Sequence, residues 1–158
     1  MDLFVIRHGI AVPKGELRHD PSRALTAEGR RELTQVCKGL KSLGIRFDNI
    51  YTSPWKRALQ TTAVLRSLCK KQPEVTEELT RAPRDRLLRQ LDGDSVAVVG
   101  HEPWLTQLIA WCCNGSARGA HVYMLEKAGV AHLTGKPRAG RFMLVHLWGP
   151  EELGKLRR

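Results

Sequence analysis

Three short strand-like runs, two of them wholly apolar and each leading to a residue that can hold or attack an anion, constrain this chain more than any other feature. Leu3-Phe4-Val5-Ile6 runs into Arg7-His8-Gly9, Asn49-Ile50-Tyr51 leads to Ser53-Pro54 and Arg57, and Val96-Ala97-Val98-Val99 ends on Gly100-His101. Continuous apolar runs of this length, bounded by turn residues, suit strands buried on both faces of a parallel sheet. In open α/β sheets, ligands bind beyond the carboxyl ends of the strands. Cationic and titratable groups delivered together to that edge predict a phosphate site.

The segments between the runs carry helical periodicity. Thr26 is placed as an N-cap with Glu28 near the positive helix end, and Leu33, Val36, Cys37 and Leu40 form one stripe before Gly44 ends the helix. Ser53 reads as the next N-cap with Pro54 at the first helical position, and Ala58, Thr62, Leu65 and Cys69 as the inner face. A short strand is expected within Pro73–Thr80, and a short helix over Pro83–Leu91 with Leu87, Leu88 and Leu91 inward. Pro103 opens a helix with the stripe Leu105, Leu108, Ile109 and Cys112. Beyond it, Ala120–Leu125, Val130–Thr134 and Arg141–Trp148 read as strands. This alternation predicts an α/β fold: a single domain over residues 1–158, built as a three-layer sandwich around a mostly parallel mixed sheet.

The formal net charge is +10, which raises the question of a nucleic-acid partner. The cations are dispersed over Lys56–Lys71, Arg81–Arg89 and the tail Lys155-Leu156-Arg157-Arg158, with no compact run and no interleaved aromatics to stack bases. A solvated basic surface, adding a positive field around an anion site, is the expected reading, with no specific nucleic-acid partner. No apolar stretch approaches membrane-spanning length, and the first strand starts too early for a signal peptide. Cys37, Cys69, Cys112 and Cys113 contain no C-x-x-C pair, so reduced, structural thiols are expected, without disulfides or zinc. Together these features predict a cytoplasmic monomer with no metal, cofactor or membrane partner.

A transferring phosphoryl group calls for positioning and charge complementarity. Arg7 and Arg57 suit the clamping role, because a guanidinium fork pairs with phosphate oxygens and keeps its charge. His101 can add a charge-assisted bond, and the helix starts beside Arg57 and Pro103 add positive partial charge. His8 is the candidate nucleophile: neutral imidazole attacks phosphorus and splits one hard hydrolysis into two easier steps. Neighbouring arginines disfavour imidazolium, and a backbone carbonyl near Gly9 is the expected acceptor that fixes the tautomer. Gly9 is expected to let backbone approach the ligand, and Ser53 joins it as a binding candidate. His19, His121, His132 and His146 are read as structural.

The residues Val5-Ile6-Arg7-His8-Gly9, Leu25-Thr26-x-x-Gly29, Tyr51-Thr52-Ser53-Pro54-x-x-Arg57-Ala58-x-x-Thr61 and Val99-Gly100-His101-Glu102-Pro103-Trp104-Leu105 resemble the histidine phosphatase superfamily, also called phosphoglycerate mutase-like. The short length and the Gly-His-Glu-Pro-Trp-Leu segment are most similar to SixA-type phosphohistidine phosphatases. The resemblance implies a phosphoglycerate mutase-like fold and a metal-independent phosphatase whose catalytic core is His8, Arg7, Arg57 and His101. Larger relatives carry a glutamate in a Leu-x-Glu pattern that protonates the leaving group. Here the matching segment is Leu79-Thr80-Arg81, with Glu77 and Glu78 offset from it. An alkoxide leaves slowly without an acid, whereas a protonated imidazole leaves readily. The reading is therefore hydrolysis of phosphohistidine on a protein, such as a phosphorelay or phosphocarrier domain, through a covalent intermediate on His8. The alternatives are a small-molecule phosphomonoesterase using Glu77, Glu78 or Glu102 as acid, and a non-catalytic phosphoryl-binding module. Contacts from Arg18, His19 and Arg84 to the ligand stay open.

Overall fold

The structure is a computed structural model and describes residues 1–16 and 19–156; Arg18, together with Arg157 and Arg158 of the basic tail, lies outside them. The apolar runs become β1 (Asp2–Arg7), β2 (Asn49–Thr52) and β4 (Ser95–Gly100), joined by β3 (Glu74–Val75), β5 (Val130–Gly135) and β6 (Phe142–Trp148). They form one sheet in the order β3-β2-β4-β1-β5-β6. β4 lies between β1 and β2 and is parallel to both, and β3 extends the parallel half. β5 runs antiparallel to β1, and β6 antiparallel to β5.

Strand alternation explains why the runs are apolar throughout. Phe4, Ile6, Ala97 and Val99 face α1 (Ala27–Ser42), α2 (Lys56–Leu65) and α5 (Pro150–Lys155), meeting Leu33, Val36, Leu40, Ala58, Leu65 and Leu153. Leu3, Val5, Val96 and Val98 face α3 (Asp85–Gln90) and α4 (Trp104–Asn114), meeting Leu87, Leu88, Leu105, Leu108, Ile109 and Cys112. Each fully buried large side chain contributes about 1.5–3 kcal/mol. The result is the single-domain three-layer α/β sandwich anticipated above.

α1 starts where the sequence places it: Thr26 Oγ1 accepts from Gly29 N at 2.9 Å. A Cβ on Gly29 would lie 2.2 Å from the Ile10 carbonyl oxygen, so this glycine lets α1 press directly on the loop that follows His8. Cys37, Cys69 and Cys112 are buried free thiols, and Cys113 is half-buried. Among the described residues no helix is long and apolar enough to cross a membrane.

Several local expectations are corrected. α2 begins at Lys56 with Trp55 at its cap, so Ser53 is not the N-cap and Pro54 is not the first helical residue. The Ser53 hydroxyl is engaged by a histidine instead. Cys69 lies beyond α2, though it is buried as expected. Of Pro73–Thr80, only Glu74–Val75 pairs with the sheet; Thr76 then caps a 3-10 turn over Glu77–Thr80 by accepting from Glu78 N. Ala120–Leu125 is not a strand: Gly119 at φ 73° turns the chain into a 3-10 turn over Ala120–Val122, leaving Val122 and Met124 exposed. The place beside β1 that a further strand could take belongs to β5. The sequence reading ended at Trp148 and missed α5, whose start is held by Glu152 Oε2 accepting from Gly149 N and whose Leu153 is fully buried.

Candidate active site

The carboxyl ends of β1, β4 and β2 lie side by side, and backbone bonds extend the register into the residues that follow. His8 N donates to Gly100 O (3.1 Å), Ser53 N to Val99 O (3.0 Å), and Ala128 N to His8 O (3.0 Å). These bonds bring the His8 and His101 rings to 5.2 Å between centroids. Arg57, in the first turn of α2, reaches back so that its Nε donates to His8 Nε2 at 3.3 Å. One Arg57 terminal nitrogen donates to Asp20 O (2.7 Å) and ties down the loop after β1. Thr61, one helical turn on, donates to Arg57 O (2.8 Å) and accepts from Gly9 N (3.1 Å), coupling α2 to the histidine segment. Arg7 is anchored by donating to Leu125 O at 3.0 Å.

These bonds define the state of His8. Its Nδ1 lies 2.7 Å from Gly9 O, and a carbonyl only accepts, so Nδ1 carries the proton. Nε2 is left with its lone pair, which accepts from Arg57. Burial pushes the ring's pKa down to about 3; the Gly9 bond pulls it up, and Arg57, Arg7 and Arg23 push it lower. His101 is held down to about 2, first by burial and then by Arg57 and His8. Both imidazoles are therefore neutral across the physiological range. Desolvation also lowers Arg57, to about 10, and Arg7, yet both remain cations at neutral pH.

Arg7, His8, Arg57 and His101 line one cavity of about 460 Å³. Lys14, Arg23 and Lys127 add positive charge around it, and among the described residues Glu102 is its one acidic lining residue. His19, read from sequence as structural, is exposed, lines this cavity, and lies with its ring tilted against Trp55 and Trp104, centroids 5.9 and 5.2 Å away. A larger cavity of about 830 Å³ opens at the opposite end of the strands, lined by residues such as Met1, Asp48 and Asp94. The candidate site residues line the smaller one.

Two binding candidates make contacts within the protein. A Cβ on Gly9 would lie 2.6 Å from Leu33 Cδ1, so its lack of a side chain makes room for the packing of α1. Ser53 is fully buried, with Oγ 2.7 Å from His101 Nε2 while accepting from Trp55 N at 3.2 Å. Its hydroxyl proton is thus free to point at His101 Nε2, which orients that ring and leaves the proton on Nδ1. His101 Nδ1 and the Nε atoms of Arg7 and Arg23 have no hydrogen-bond partner among the described residues.

The three glutamates separate clearly. Glu78 is 5% exposed and bound by both Nε and a terminal nitrogen of Arg84 at 2.7 Å, with Arg86 at 3.8 Å. Arg84 holds the Glu78 carboxyl below its usual range, so it stays ionised, and neither residue lines the cavity. Glu77 is exposed and accepts from Thr80 within its own turn. Only Glu102 reaches the site.

Arg23, Lys14, Lys127, Trp55 and Thr61 were missed from the sequence. Trp55 lies 4.9 Å under the Arg57 guanidinium and 4.6 Å from the His101 ring. The lysines and Arg23 come from loops without periodicity, so no local signal marks them.

The sequence profile of the histidine phosphatase superfamily (branch 1) matches residues 3–81. An uncharacterized protein of Picosynechococcus sp. (strain PCC 7002) is 34% identical over 143 residues, 84% of each chain. The solved structure of the protein histidine phosphatase SixA complexed with tungstate superposes with a TM-score of 0.77 at 25% identity, covering 97% of this chain and 99% of that one. The phosphoserine phosphatase of Entamoeba histolytica, solved with 3-phosphoglyceric acid, shares the fold at a TM-score of 0.76 and 18% identity, covering 96% and 98%. The profile shows, and the fold shared with SixA supports, that this chain belongs to the histidine phosphatase superfamily (branch 1) and is a phosphatase of that class.

Proposed function

We propose that this protein hydrolyses phosphohistidine on a protein substrate through a covalent phosphohistidine intermediate at His8. The observation that carries the reading is the His8 tautomer: Nδ1 is committed to Gly9 O, so Nε2 presents a lone pair inside a cavity rimmed by cations. Neutral Nε2 attacks phosphorus while Arg7 and Arg57 neutralise the non-bridging oxygens, and His101 Nδ1, oriented through Ser53, donates a further bond. The P–N bond forms as the bond to the leaving group breaks. Water then attacks phosphorus as the P–N bond breaks, the electron pair returns to His8 Nε2, and inorganic phosphate leaves with the water's protons.

The leaving group supports the substrate class. The segment where larger relatives place an acid presents Glu78 locked to Arg84, and a protonated imidazole needs no acid to depart. The cationic rim suits a phosphorylated side chain projecting from an acidic partner such as a phosphorelay or phosphocarrier domain. In this reading the protein acts as a cytoplasmic monomer, in keeping with its buried free thiols. A turnover panel of a phosphohistidine protein, alkyl phosphates and an acyl phosphate tests it. The expected result is the highest kcat/KM on the phosphohistidine protein; a strong preference for alkyl esters overturns the substrate assignment.

A further inference from the structure

We infer that His19, braced by Trp55 and Trp104, is the surface on which the departing ring of the substrate stacks, so that the site selects phosphoryl groups carried on flat rings. This rests on the phosphohistidine reading above. His19 lines the same cavity as His8, Arg57 and His101, and it is exposed there. Its ring centroid lies 5.2 Å from that of Trp104 and 5.9 Å from that of Trp55, at interplanar angles of 34° and 40°. Trp55 in turn lies 4.6 Å from the His101 ring, which lies 5.2 Å from His8. The rings form a chain that begins at the nucleophile and ends at an imidazole open to the cavity.

The loop that carries His19 is held at the residues that follow. Asp20 O accepts from Arg57 at 2.7 Å, and Pro21 O accepts from Lys56 N at 2.9 Å. Asp20 Oδ1 also accepts from Ser22 N and from the Ser22 hydroxyl, at 2.8 and 2.7 Å. The arginine assigned to the phosphoryl group therefore also fixes the wall beside it. Trp55 is steadied by the Arg57 guanidinium 4.9 Å from its ring and by donating from its backbone N to Ser53 Oγ. Contact with two indoles confines an imidazole that would otherwise turn freely on the surface.

Among the described residues three imidazoles line the cavity, those of His8, His19 and His101. In the proposed mechanism His8 and His101 both engage the phosphoryl group, which leaves His19 for the leaving group. Attacking and leaving atoms lie roughly in line at phosphorus, so the leaving group departs away from His8, toward the mouth where His19 is exposed. His8 Nε2 bonds to phosphorus as the substrate's P–N bond breaks. The substrate ring, protonated on its other nitrogen, keeps the electron pair and leaves as neutral imidazole. A neutral ring offers no charge to the cationic rim, so contact between flat faces is what positions it.

The test varies the ring and keeps the P–N bond: phosphoimidazole carries the ring, and phosphoramidate does not. In His19→Ala the ratio of kcat/KM for phosphoimidazole to that for phosphoramidate is expected to fall about 10-fold, the upper end for a ring pair. His19→Phe, which keeps a ring and loses both nitrogens, is expected to restore the ratio. A merely structural role for His19 lowers both rates together and leaves the ratio at its wild-type value. An unchanged ratio in His19→Ala, or a ratio in His19→Phe as low as that of His19→Ala, overturns this inference and leaves the phosphohistidine reading standing. A wild-type protein that hydrolyses alkyl esters but neither P–N compound overturns that reading, and this inference with it.

Discussion

Arg57 Nε donates to His8 Nε2 across 3.3 Å, between side chains that are 5% and 4% exposed. The guanidinium is pointed at the nucleophilic lone pair without being able to protonate it. It restrains the ring, disfavours imidazolium and, in the proposed mechanism, stands where phosphoryl oxygens arrive. Arg57→Lys keeps the charge but loses the Nε donor and the second arm to Asp20 O. The expected outcome is a fall in kcat of roughly 100-fold with a smaller change in KM, read from steady-state kinetics. An Arg57→Lys enzyme with wild-type kcat contradicts this role.

In the proposed mechanism Ser53 acts through His101. Its Oγ lies 2.7 Å from His101 Nε2, deep in the structure. Ser53→Ala removes that partner and leaves the His101 tautomer undefined. A drop in kcat of about 10-fold is expected, with destabilisation of about 1–3 kcal/mol for the buried nitrogen left unpaired. Proton-detected NMR of the imidazole resonances checks the tautomer, and Ser53→Thr, which keeps the hydroxyl, should restore it.

The neutral histidines make stability depend on acid. His8 and His101 have folded pKa values of about 3 and about 2 against an ordinary 6.5. Between 6.5 and those values the unfolded chain binds protons that the native state does not, so stability is full above 6.5 and falls as pH drops. Melting curves between pH 7 and 5, above the range of most carboxylates, should show Tm falling with acidification. The double variant His8→Asn/His101→Asn should lose part of that slope. An unchanged slope removes these two residues as its source.

Gly29 holds α1 against the loop after His8. Because the Cβ of Gly29→Ala would meet backbone, the Ile10 carbonyl at 2.2 Å, a side-chain rotation cannot relieve it. Destabilisation of about 3 kcal/mol by denaturant titration is expected. Gly9→Ala meets chiefly the end of Leu33, with the Gly29 carbonyl oxygen farther off at 3.3 Å, so it should cost less and be partly relieved by Leu33→Ala in a non-additive cycle.

What could be read from the chain follows from how local each cause is. β1 and β4 are buried on both faces, so they are apolar throughout and visible as runs. Arg7, His8 and His101 follow directly from those strands, and Arg57 from the spacing after β2. The remainder depends on contacts far apart in sequence. Ser53-Pro54 looks like a helix start, yet the Ser53 hydroxyl goes to His101, 48 residues away. Ala120–Leu125 has the composition of a strand, but β5 takes the place beside β1. Glu78 and Glu102 look equivalent on paper. They differ only because Arg84 folds onto one and the other stands in the cavity.

Phosphate trapped on His8 tests the central claim most directly. The protein is mixed with substrate for milliseconds, quenched in alkali to preserve P–N bonds, and the peptide carrying His8 is analysed by mass spectrometry. The account predicts a transient phosphate on His8 that forms and decays at rates compatible with kcat, and none on the His8→Ala protein, whose turnover falls by roughly 10⁴-fold or more while its fold persists. Full turnover by the wild type with His8 never phosphorylated contradicts it.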